Sequence, residues 1–93
     1  MNTYIQVTTT TETKEQAQKI AACVQITGPI TSIYRWKGKV ENNQEWLCLI
    51  KTQEDLYNKV EAAIKSQHSY ETPEIIALPI VKGSKEYLNW LDD

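Results

Sequence analysis

Apolar residues along this chain recur with a period near two in some stretches and near 3.6 in others, and the alternation between them orders the elements. Tyr4, Ile5 and Val7 make residues 1–8 a short first strand. The threonines at 8–11 are expected to end it, and Thr13 with Gln16 has the spacing of a capping box. Ala17, Ile20, Ala21 and Val24 then recur at helical spacing, predicting a helix over 12–21. At 1.5 Å per residue that helix spans only about 15 Å, barely enough to return the chain to the start of the first strand.

Residues 23–27 alternate as a strand, Gly28-Pro29 interrupts the pattern, and Ile30 resumes it. Proline removes a ladder donor, so this second strand should be long, bent and at a sheet edge. Two runs rich in β-branched and aromatic residues, 33–36 and 46–50, flank the polar cluster Glu41, Asn42, Asn43, Gln44, which predicts a hairpin turning at Asn42-Asn43. With a two-residue turn there, position 36 faces 49 and 34 faces 51. Tyr34 and Trp36 then share one face with Leu47 and Leu49, while Arg35, Lys37, Lys39, Trp46 and Cys48 take the other.

Thr52 and Asp55 have the spacing of another helix start. Leu56, Tyr57, Val60, Ala63 and Ile64 trace the apolar face of a helix over 54–66. Residues 68–73 form a polar connection. Residues 74–80 form an apolar strand that Pro79 again assigns to an edge, and Ser84 caps a last short helix that points Tyr87, Leu88 and Leu91 inward with Trp90 at its flank.

The order is β-α-β-β-α-β plus a terminal helix, the pattern of an α+β, ferredoxin-like sandwich in one domain over 1–93. Its edges are the second and fourth strands, and both carry proline. Bare edges and a long overhanging hairpin are liabilities that pairing between copies removes, so a closed homo-oligomer is expected.

Composition narrows the function. Ten basic and twelve acidic residues give a net charge of −2, so no global field favours nucleic acid or an anionic membrane. No stretch approaches the length of an apolar membrane span, and the polar, Thr-rich first twenty residues do not read as a signal peptide. Cys23 and Cys48 lack any paired metal-binding spacing, which favours a reduced cytoplasm. No phosphate loop, nucleophile elbow or His-Cys pairing suggests an enzyme, so binding is expected rather than catalysis.

Several segments together, AlaCysValGlnIle at 22–26, IleTyrArgTrpLysGlyLys at 33–39, IleLysThr at 50–52, ProGluIleIleAlaLeuProIle at 73–80, Gly83 and TyrLeuAsnTrp at 87–90, resemble the CutA divalent-cation tolerance family over nearly the whole chain. The resemblance implies a PII-like subunit of a compact homotrimer built through its long hairpin, a cytoplasmic setting, and association with copper or another divalent cation. The chain departs from the family pattern in its abbreviated first helix. It also has His68-Ser69-Tyr70 where His-Pro-Tyr is common, with threonines and Gln67 where some members carry a further cysteine and histidine.

The candidate metal ligands are His68, the only histidine, and Cys23, a soft donor suited to Cu(I). The competing interpretation of each is structural: a hydrogen-bonded loop histidine and a small buried hydrophobe. Tyr34, Trp36 and Tyr70 are candidates to line a cleft between copies, with Lys51, Glu71 and Glu74 beside it, where a small molecule or a partner protein could bind. Interface packing and ion pairing are the alternatives. Arg35, Lys37 and Lys39, with Glu41 and Glu45 nearby, read as a solvated face.

Overall fold

The computed structural model describes residues 3–20 and 25–92. The described residues form strands β1 (Tyr4–Thr11), β2 (Gln25–Trp36), β3 (Lys39–Gln53) and β4 (Ile75–Ile80), with helices α1 (Lys14–Ile20), α2 (Tyr57–Gln67) and α3 (Lys85–Leu91); a single 3-10 turn, Glu54–Leu56, leads into α2. The strands make one sheet in the order β2-β3-β1-β4, the ferredoxin-like arrangement expected, and the two proline-bearing strands are its edges.

One face of the sheet carries the core. Ile5, Val7 and Ile50 alternate on that face and pack with Ile20 of α1 and Ile64 of α2, with Tyr57, Val60 and Ile75 closing the margin. The Thr13 half of the capping box expected at α1 forms: the Gln16 amide donates to Thr13 Oγ1 at 3.1 Å and the Ala17 amide to the Thr13 carbonyl at 3.2 Å. A side-chain amide of Gln16 also donates to the Gln67 carbonyl, tying the start of α1 to the end of α2.

Three expectations need correction. The threonines at 8–11 do not end the first strand. They are its second half, all buried, paired with residues 46–49 of β3, because β-branched side chains pack well on a pleated surface. The hairpin does not turn at Asn42-Asn43. It turns at Lys37-Gly38, with φ of 51° and 79°, so Trp36 pairs with Lys39 and Tyr34 with Glu41. Two successive positive φ values match the strand twist, and glycine accepts one without cost. Lys39 consequently joins the Trp36 face instead of opposing it. Finally, Tyr87 is not inward-pointing but 42% exposed, because α3 lies across a corner of the other sheet face through polar contacts. Tyr4 and Gln53 both donate to Asp92 Oδ1, at 2.7 and 2.9 Å, while Lys51 Nζ sits 5.6 Å from the Tyr87 ring centre.

The ladder of β2 shifts register between Thr27 and Ile30, around Gly28-Pro29, as the sequence leads one to expect. A side chain at Gly28 would meet the Trp46 ring at 2.6 Å, so the close approach of the two strands requires glycine there. From Ile30 to Glu45 the hairpin runs past the end of β1 as a two-stranded ribbon. That projection gives extents of 45 × 23 × 21 Å and a radius of gyration of 14.3 Å, against about 12 Å for a compact chain of this length. Ile33 and Val40 on the ribbon are 68% and 67% exposed.

Candidate functional site

The polar connection after α2 folds over the root of the ribbon, and His68 fixes it there. His68 Nδ1 accepts the Tyr70 backbone N–H at 3.1 Å, and Nε2 lies 2.7 Å from the Thr10 carbonyl oxygen. An amide can only donate and a carbonyl can only accept, so the ring carries its proton on Nε2 and both nitrogens are engaged. The Tyr70 ring packs against the imidazole with 4.8 Å between centres. Tyr70 is thereby aimed across the sheet, where its hydroxyl donates to Glu45 Oε2 at 2.9 Å.

Glu45 is 6% exposed, a buried carboxylate on β3. Burial of Tyr70 and the acceptor carboxylate of Glu45 together push the phenol well above its ordinary pKa, since ionisation would place a second negative charge beside the first. On the ribbon, Tyr34 shares the face of Glu45, and its hydroxyl oxygen accepts Asn43 Nδ2 at 2.6 Å, leaving the phenolic hydrogen available to a further acceptor.

These groups border one cleft of about 610 Å³, within the range of small-molecule sites. Tyr34, Trp36, Tyr70, Glu71 and Glu74, five of the six residues proposed for a cleft from sequence, line it together. Lys51 does not line it. Its ammonium lies 3.0 Å from Gln25 Oε1, beside α3. Glu45, Thr10 and Ser32 are lining residues that sequence reading did not single out. Glu45 is the informative omission, since a glutamate in a charged ribbon reads as solvated, whereas here it is buried and hydrogen-bonded by Tyr70 of a distant loop.

Of the proposed metal ligands, Cys23 lies outside the described residues. A metal ion on His68 would have to displace the Thr10 or the Tyr70 hydrogen bond. Among the described residues no three His, Cys, Asp or Glu side chains are grouped so as to hold a metal ion. Cys48 is fully buried on the core face opposite Thr9, and burial pushes its thiol pKa up, the behaviour of an inert small hydrophobe.

Comparison with known proteins agrees with this architecture. The profile described as CutA1 divalent ion tolerance protein matches residues 5–93. The chain is 49% identical over 74 residues to the divalent-cation tolerance protein CutA of Thermus thermophilus, covering 80% of this chain and 72% of that one. It is 46% identical over 74 residues to the human protein CutA, covering 80% of this chain but 41% of the longer relative. The solved structure of the Thermus thermophilus protein superposes with a TM-score of 0.88 at 41% identity, covering 95% of this chain and 94% of that one. CutA1 from Oryza sativa superposes at 0.87 and 40% identity, covering 97% and 91%. From Ile5 to its end, this chain belongs to the CutA1 divalent ion tolerance family.

Proposed function

We propose that the chain works in the cytoplasm as a homotrimer that binds copper or another divalent cation weakly and takes part in cation tolerance, without catalysing a reaction. Family membership supports the cation role. The observation that carries the assembly is the ribbon of residues 30–45, which exposes Ile33, Val40 and Trp36 and, among the described residues, has no third strand beside it. A two-stranded ribbon is marginal in water, and neighbouring copies supply the missing surface. Metal binding is weak on this reading because His68 reaches an ion only by surrendering a hydrogen bond. Titrating Cu(I), Cu(II) and Zn(II) into the wild type and His68→Ala tests it. The substitution is expected to weaken or abolish the isotherm, and indistinguishable curves would remove His68 from the site.

A second reading is favoured by the cleft itself. Its volume and its aromatic walls with polar tips suit a PII-like signalling or scaffolding trimer that takes a small molecule or a partner segment between subunits. A thermal-shift comparison of metabolites with metal ions separates the two readings, because only compounds bound by the native state raise its apparent stability.

A further inference from the structure

The cleft has a chemical bias that neither reading above uses. Its described lining contains three carboxylates, Glu45, Glu71 and Glu74, and no lysine, arginine or histidine. Anionic ligands such as phosphates or carboxylic acids would face three carboxylates across that lining, the Lys37 ammonium beside the Trp36 ring lying outside it. The walls are three aromatic rings, Tyr34, Trp36 and Tyr70. Trp36 already takes an ammonium: Lys37 Nζ lies 5.9 Å from its ring centre. Glu45 is the innermost charge. Its buried carboxylate has four acceptor sites, and the Tyr70 hydroxyl supplies one donor to it.

A small, strongly hydrated metal ion gains little from the ring faces of aromatic walls, which hold no lone pair to replace its water. An alkylated ammonium gains from both features. Its diffuse charge is attracted to ring faces and its methyl groups bury apolar surface, while a carboxylate balances the charge without having to enter its coordination sphere. We propose that this cleft is a binding site for a small organic ammonium ion, with Trp36, Tyr34 and Tyr70 as its walls and Glu45 as its counter-charge.

The inference rests on the reading of the cleft as a ligand site and specifies the ligand class. Choline chloride and its neutral isostere 3,3-dimethylbutan-1-ol, titrated at constant ionic strength into the intact protein, test it. Wild-type protein should prefer choline. Trp36→Leu should weaken choline by roughly three- to thirtyfold, the range of one cation–π contact. Glu45→Gln, which keeps an acceptor for the Tyr70 hydroxyl, should reduce the preference for choline over the alcohol. Trp36 is 43% exposed in the single chain but lies on the ribbon proposed to pack against neighbouring copies, so light scattering on Trp36→Leu accompanies the titration and separates a lost wall from a lost assembly. If both compounds bind equally and Trp36→Leu weakens both, the cleft is a ligand site but the ammonium assignment is wrong. If neither binds, the ammonium assignment is overturned, and the thermal-shift comparison decides separately whether the cleft takes another ligand. An unchanged preference in Glu45→Gln overturns the assigned counter-charge.

Discussion

Tyr70 and Glu45, separated by 25 residues in sequence, meet through a 2.9 Å hydrogen bond in which the phenol serves a buried carboxylate. The bond joins the loop after α2 to the base of the ribbon. Tyr70→Phe leaves Glu45 buried with one donor fewer, and should cost about 1.5–3 kcal/mol in urea unfolding, the usual worth of a hydrogen bond to a charged group. A loss below about 0.5 kcal/mol would show that water replaces the hydroxyl.

The same pair sets a pH dependence. The folded Tyr70 pKa lies above the ordinary value of 10.0, raised first by burial and then by Glu45. Above pH 10 the unfolded chain therefore releases this proton while the folded chain holds it. The contribution is fully present below the unfolded pKa and is lost as the pH rises toward the folded one. Stability of the wild type should fall more steeply above pH 10 than that of Tyr70→Phe. Parallel curves would contradict the coupling.

His68 should behave as a structural residue whether or not it also meets metal. His68→Ala strands the Thr10 carbonyl and the Tyr70 amide, and a cost of about 1–3 kcal/mol is expected in metal-free buffer with chelator present. Retained stability there would mean that the loop is held by other contacts.

At the hairpin tip, Lys37 occupies a left-handed conformation at φ 51° and Gly38 at φ 79°. Lys37→Asn places at the first position a residue that tolerates this geometry, giving the Asn-Gly pair favoured in such turns, and should raise stability by about 0.5–1 kcal/mol. Gly38→Ala should lower it by about 1–2 kcal/mol. Thermal unfolding of both variants checks the placement of the turn, since a turn at Asn42-Asn43 would make each substitution nearly neutral.

The turn also shows where sequence reading succeeds and fails. Residues 39–44 are polar enough to pass for a loop, and a lysine gives no hint that its φ is positive, so the turn was expected five residues too late. The face assignment survived nonetheless. The pairing moved by an even number of positions, which leaves Tyr34 and Trp36 on the side of Leu47 and Leu49. Cleft residues that are aromatic or that lie in the polar connection were legible because their chemistry is unusual where they stand. Glu45 was not, because its hydrogen bond comes from Tyr70 in a distant loop, and no local pattern encodes that contact. Lys51 was misplaced for the same reason: its surroundings are set by α3 and Gln25.

The exposed ribbon and the two sheet edges, which pair with no further strand among the described residues, make assembly the claim on which the remaining functional reading depends. Static light scattering on the purified chain, coupled to size-exclusion chromatography across a hundredfold range of concentration, measures it directly. A mass of three chains throughout is the predicted result. A mass of one chain, with the ribbon left in water, would contradict the account.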